Sequence, residues 1–253
     1  MKKYFPILIP IFLISYFFNK KEHVADSISF NTQKHGFHTL IPIFENNHYK
    51  PAGSLFLVDY FVDSTNVGRK GKNKLEVALY RSKDSTLLKL NFYTRVNKNW
   101  VTKNYFELEK DQLSGIDPNL ADYNNDSFLD FDYKALIAAR GANDVRQLFI
   151  YDKKGDSLIF IKNATDYPNI AYNKKLDCID AYLVHGTSSQ AFLHIKKDSL
   201  VTFAWIHIGA RTIVTEIDEN GVEKEILNDT ITNTNHEKFI DYNPLQLKKV
   251  SKE

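Results

Sequence analysis

The sequence predicts a mainly β protein, an antiparallel meander that forms a sandwich, an open barrel or a propeller-like array. Three observations predict it. Runs of five to ten residues rich in Val, Leu, Phe and Tyr recur along the chain, separated by polar clusters. Within them Leu75-Glu76-Val77-Ala78-Leu79 and Leu88-Lys89-Leu90-Asn91-Phe92 alternate with period two, the pattern of a sheet with one wet face. And one turn recurs: Ser82–Leu87, Lys153–Leu158 and Lys196–Leu200 are variations on Lys-x-Asp-Ser before a Leu-led strand.

In chain order, the first element is an export segment. Lys2 and Lys3 precede an apolar run from Tyr4 to Phe18, closed by Lys20 and Lys21. As a helix, 15 residues at about 1.5 Å each reach roughly 22 Å, short of a roughly 30 Å hydrocarbon core. Residues 1–22 are therefore expected to be a signal peptide or an uncleaved, tilted N-terminal anchor, and residues 23–253 a single exported β domain, periplasmic, envelope-bound or secreted. Any membrane contact is expected through this segment alone. Four Lys and one Glu lie within it, so the body keeps 29 basic and 30 acidic residues and offers no electrostatic footprint for nucleic acid. The single cysteine, Cys178, excludes an internal disulfide and reads as a buried small hydrophobe.

Strands are expected at Ser54–Val62, Lys74–Tyr80, Leu87–Val96 and Trp100–Leu108, then at Val145–Tyr151, Leu158–Ile161, Ile179–Val184, Ala191–Ile195, Leu200–Ile208, Thr212–Ile217 and Val222–Leu227. Asp218-Glu219-Asn220-Gly221 is a strong hairpin signal between the last two. Helix candidates are short: Phe106–Leu113 and Tyr133–Ala139. Ser114–Pro118 reads as a loop within the domain, with a sub-boundary near residue 115 as the alternative. Short loops and the absence of βαβ spacing argue against a parallel sheet, and no blade repeat marks a regular propeller.

The segment with chemistry in it is Asp122-Tyr123-Asn124-Asn125-Asp126-Ser127-Phe128-Leu129-Asp130. Oxygen-bearing side chains stand at positions 1, 3, 5 and 9, and a carbonyl at position 7. A hard cation such as Ca2+ takes six to eight oxygens, so the expected ligands are Asp122, Asn124, Asp126, the Phe128 carbonyl and Asp130, with Asp132 behind Asp130. Position 6 is Ser127 where Gly is usual, and position 12 is Tyr133 rather than the Glu that closes an EF-hand. The metal-free alternative is an Asp/Asn-rich turn.

Other residues carry weaker chemistry. Gly186-Thr187-Ser188-Ser189 lacks the strand-to-helix elbow of a serine nucleophile and reads as a hairpin loop. His35, His38, His185, His194 and His207 lack the short spacing of a zinc site. Arg140 and Arg146 are expected to pair at the surface with Asp144 or the acidic loop. Trp100 and Trp205 read as core or as sugar-stacking platforms. No carboxylate pair or phosphate-cradling Gly-rich loop stands out, so the chain reads as a binding protein and not an enzyme.

Asp122–Asp130 resembles the Asp-x-Asn-x-Asp-Gly-x-x-Asp calcium loop of FG-GAP-type repeats. The longer stretch, this loop followed by Gly141-Ala142-Asn143, the strand Gln147–Asp152 and a Lys-rich hairpin, resembles the periplasmic calcium-binding immunity lipoproteins associated with type IV secretion. Those are similar in fold to PliI-type lysozyme inhibitors. What the resemblance implies is an antiparallel β fold, one bound calcium, no catalysis, and binding to a peptidoglycan hydrolase through a small-residue loop. That loop would here be His185–Gln190, with Gly186, Thr187, Ser188 and Ser189 at its centre. A glycan-binding or surface-adhesion module is the alternative function, and an unrecognised hydrolase the third.

Overall fold

The structure is a computed structural model that describes residues 55–230 and 239–242. The expected export segment, His35 and His38 lie outside the described residues. Among the described residues, fourteen strands in chain order form three open antiparallel sheets, none closed into a barrel. The first sheet is a four-strand meander: β1 (Phe56–Asp63), β2 (Asn73–Arg81), β3 (Thr86–Val96) and β4 (Asn99–Glu109). The second contains β5 (Pro118–Ala121), β6 (Asp130–Ala138), β7 (Asn143–Asp152) and β8 (Ser157–Phe160). The third runs from β9 (Ala171–Asn173) and β10 (Cys178–Val184) through β11 (Ser188–Lys196), β12 (Ser199–Ile208) and β13 (Thr212–Ile217) to β14 (Glu223–Asp229).

The sequence explains why the sheets stack. In β2 and β3, Leu75, Val77, Leu79, Leu88, Leu90 and Phe92 stand at alternate positions, so they bury on one face. In β7 the run Leu148-Phe149-Ile150-Tyr151 is apolar on both faces. Phe149 and Tyr151 enter a core shared with the first sheet, while Leu148 and Ile150 enter one shared with the third. The second sheet is thus the middle layer of two face-to-face packings, a sandwich extended by one layer. A third core lies on the far side of the third sheet, where Cys178, Phe192, Ala204 and Ile206 pack against Phe239.

Aromatic rings fill the first core. Phe149 lies 5.1 Å from Phe106, edge-on, 5.5 Å from Phe160 and 5.9 Å from Phe131, which stacks on Phe61 at 6.1 Å. Such pairs each add about 0.5–1.5 kcal/mol beyond burial.

The Lys-x-Asp-Ser turns are the hairpins joining β2 to β3, β7 to β8 and β11 to β12. Asp218 caps the β13–β14 turn by accepting from the amides of Asn220 and Val222. Neither helix candidate is a helix. Phe106–Glu109 continues β4, with Phe106 and Leu108 turned to the core, and Tyr133–Ala138 belongs to β6. In β6, Phe131 and Tyr133 face the first core while Asp130 and Asp132 face the other way, an alternation that only a strand satisfies. Ser114–Pro118 joins the first sheet to the second; Ile116 is fully buried in the first core, and its amide donates to Asp59 across 57 residues of chain.

Candidate metal site

The acidic loop Asp122–Asp130 joins two paired strands, with Ala121 opposite Asp130 in the β5–β6 ladder. Its bend is made by two residues in the left-handed region, Asn125 at φ +56° and Ser127 at φ +70°. Ser127 thus occupies the conformation that Gly supplies in the resembled loop. The carboxylates organise the bend. Asp122 accepts from the amides of Asp126 (3.1 Å) and Ser127 (2.8 Å), Asn124 Oδ1 from Asp126 (3.2 Å), and Asp126 Oδ1 from Phe128 (3.0 Å).

Asp130 is fully buried and accepts from Tyr123 N and Tyr151 N, both at 2.8 Å. Burial pushes its carboxyl up to about 7, the carboxylates of Asp126 and Asp122 push in the same direction, and the two amide bonds only partly oppose them. The charges of Asp122 and Asp126 are therefore felt at Asp130. None of the ion pairs among the described residues reaches Asp122, Asp126 or Asp130.

The loop is held from outside as well. Gly68 N donates to Leu129 O at 3.0 Å, and the Phe128 ring packs 5.4 Å from Tyr151. Gly68, at φ +58°, makes that approach possible: a Cβ there would stand 2.9 Å from the Tyr151 ring.

The donor set is all oxygen, which suits calcium and not zinc. Each carboxylate offers about four lone-pair sites, of which the amides use two on Asp122, one on Asp126 and two on Asp130, so acceptor capacity remains for an ion. Among the described residues, no three or more His, Cys, Asp or Glu side chains are drawn together as a metal cluster. An ion here would need the Asn124 amide oxygen and the Phe128 carbonyl to complete its coordination.

Asp132 does not stand behind Asp130. It is fully buried on the same face of β6 and accepts from Tyr123 Oη (2.7 Å), Asn119 Nδ2 (2.8 Å) and Arg146 Nε. Arg146 also reaches Asp144 (3.0 Å) and the Asp117 carbonyl (2.6 Å), so the expected surface pair is the rim of a buried network. Tyr123, whose amide serves Asp130 and whose hydroxyl serves Asp132, ties the loop to that network.

The other expected site is shorter than read. Its exposed tip is His185-Gly186-Thr187, whereas Ser188 and Ser189 are buried in β11, paired with Val184 and Leu183 on one side and Ile208 and His207 on the other. The strand claims them because Ser188-Ser189-Gln190 continues the ladder into Ala191. The structure brings His185 and His207 together there: Ser189 Oγ lies 3.0 Å from His185 Nε2 and 3.1 Å from His207 Nδ1. His185, in the turn between β10 and β11, and His207, on β12, are 22 residues apart and leave no trace as a spacing motif.

No helix among the described residues is long and apolar enough to cross a membrane. The sequence matches no protein-family model and no curated protein. Among solved structures, that of a Xanthomonas type IV secretion system related protein is similar to 72% of this chain and 98% of its own, at 12% identity and a TM-score of 0.41. That likeness is too loose to carry fold or function from one protein to the other.

Proposed function

We propose that this chain is an exported, calcium-stabilised binding protein of the periplasm or cell envelope, without catalysis of its own, whose partner is a peptidoglycan hydrolase that it inhibits. The observation that carries the calcium reading is the Asp122–Asp130 bend. The charges of Asp122 and Asp126 add to burial in raising the proton affinity of Asp130, the sixth residue already has the left-handed backbone, and the loop's oxygens retain capacity for an ion. A cation there would replace carboxylate repulsion with attraction and pin a loop in a chain with no disulfide. The hydrolase reading is supported by the resemblance to immunity lipoproteins and PliI-type inhibitors, with His185-Gly186-Thr187 as the inserting tip.

Titration calorimetry and thermal melts in calcium and in chelator test the first part. Without a closing Glu, the expected Kd is about 10⁻⁴–10⁻³ M. Calcium at about 10 mM should then stabilise by roughly 2 kcal/mol. Asp126→Ala should abolish that gain and leave the chelator melt nearly unchanged; equal shifts with and without chelator count against a metal. Turnover of labelled peptidoglycan by a muramidase tests the second part: the wild-type chain should suppress it, and Thr187→Arg should relieve the suppression without altering the melt.

A further inference from the structure

The first sheet turns one face into the first core and the other outward, and the outward face has its own composition. Strand register puts Tyr60, Ala78, Lys89 and Glu107 in one row across the sheet, and Val62, Glu76, Asn91 and Tyr105 in the next. Tyr80 stands to one side of these rows; Tyr93 and then Trp100 stand to the other. Tyr60 and Tyr105 are about half exposed, at 53% and 49%.

The rings are held in place rather than left loose. Tyr93 Oη donates to Glu76 at 2.8 Å and Tyr105 Oη to Glu107 at 2.6 Å. Lys74 Nζ lies 4.3 Å from the Tyr93 ring centre and 5.3 Å from that of Trp100, and Lys89 Nζ lies 5.4 Å from that of Tyr80. A surface fixed in this way loses little side-chain entropy when something lies on it.

Charge decides what fits. Each cation at the centre of the face has an anion beside it: Lys74 Nζ is 2.7 Å from Glu76, and Lys89 Nζ is 3.7 Å from Glu107. Lys89 is only 7% exposed, sunk beside the Tyr80 ring. A charged polymer finds no unpaired counter-charge at this centre; Arg95, which makes no ion pair among the described residues, lies at the edge, 5.6 Å from the Trp100 ring centre. The centres of protein–protein interfaces are depleted in Lys and Glu, whereas this centre is built from them. An uncharged, hydroxyl-rich chain meets aromatic planes, tyrosine hydroxyls, carboxylate edges and the Asn91 amide without stripping an unpaired charge of water. Tyr60 on β1 and Tyr105 on β4 are three strand spacings apart, about 14 Å, so the surface suits an extended polymer and not a single small ring. Two hollows among the described residues lie elsewhere, one beside Asn173 and Phe239 and one beside Phe203 and Tyr242.

We propose that this face, with Tyr60, Tyr80, Tyr93, Trp100 and Tyr105 as its stacking surfaces, binds a strand of neutral polysaccharide. The site is separate from the acidic loop and independent of calcium. The test uses the full chain and three insoluble probes: chitin, cellulose and purified peptidoglycan sacculi, with soluble β-1,4-linked N-acetylglucosamine hexamer as competitor and Trp100 fluorescence as the reporter.

The expected result is retention on at least one probe that is insensitive to 0.5 M salt and to chelator. Tyr60→Ala, Trp100→Ala and Tyr105→Ala should each weaken it by about tenfold, while Tyr60→Phe retains it. All of these side chains are at the surface, so unchanged melts will separate lost binding from lost fold. Retention on none of the probes overturns the proposal, as does retention that the triple alanine variant leaves intact. A dimer in sedimentation that Tyr105→Ala dissolves also overturns it, because the face would then belong to a second copy. Loss of calcium binding with retention preserved would sink the calcium reading and leave this one standing.

Discussion

Asp156, in the β7–β8 turn at φ +52°, shows how single carboxylates fasten these sheets together. It accepts from Thr94 Oγ1 (2.6 Å), Asn73 Nδ2 (3.0 Å) and Tyr151 Oη (2.7 Å), so a turn of the second sheet is bonded into the first. Burial alone would raise its pKa, but these donors, with Lys72 nearby, hold it down at about 2. Its folded pKa lies below its unfolded value near 4, so its stabilisation is present above about pH 4 and is lost as pH falls toward 2. Asp156→Ala leaves three donors unmatched and should cost on the order of 2–3 kcal/mol at pH 7. In urea melts the gap between wild type and variant should shrink as pH drops from about 4 to 2. A gap that stays constant would mean that packing, and not charge, is what the alanine removes.

Arg146 and Asp132 make the complementary case. Arg146→Met strands a fully buried carboxylate and should cost about 3–5 kcal/mol, whereas adding Asp132→Asn removes the charge and should recover much of that loss. A double variant less stable than Arg146→Met alone would show the pair to be worth more than its desolvation.

At the scale of elements, the acidic loop puts a strained backbone to use. Ser127 is exposed and donates its amide to Asp122 at 2.8 Å, so its side chain contributes little while its φ of +70° costs something. Ser127→Gly should therefore be neutral or stabilising by up to about 1 kcal/mol, whereas Ser127→Val, β-branched at positive φ, should destabilise by about 1–2 kcal/mol. Thermal melts of the two variants in chelator check this, and equal effects would place the strain elsewhere.

Strands with alternating or continuous apolar runs were legible in the sequence, as were the turns between them, because period and turn chemistry are local. β5, β6 and β9 were not: Pro118–Ala121 and Ala171–Asn173 are too short to show a period, and Asp130 and Asp132 read as a loop ligand and its support, whereas both are buried strand residues with partners 7 to 21 positions away. The acidic loop was legible because its donors are consecutive. Of the aromatic face only Trp100 was singled out, although the same period-two reading of β1 to β4 places Tyr60, Tyr80, Tyr93 and Tyr105 together once register is known. Register is what one strand's sequence does not hold.

For the whole molecule, the question is whether three layers fold as one unit. β7 supplies side chains to two cores, Phe149 to the first and Leu148 to the second, so loosening it should loosen both. The two tryptophans report on opposite ends, Trp100 in β4 of the first sheet and Trp205 in β12 of the third. Trp100→Phe and Trp205→Phe each leave one reporter, and Phe149→Ala in each background should cost about 3–5 kcal/mol. If the middle sheet couples the cores, both reporters will show that loss as the same shift in denaturant midpoint, with a single transition and an unchanged slope. If only the Trp100 signal moves, the third sheet stands on its own core of Phe192, Ile206 and Phe239, and the molecule is two cooperative units sharing a strand. The shared apolar run of β7 favours the first outcome, because exposing Phe149 cannot leave Leu148, its neighbour on the opposite face, in an intact strand.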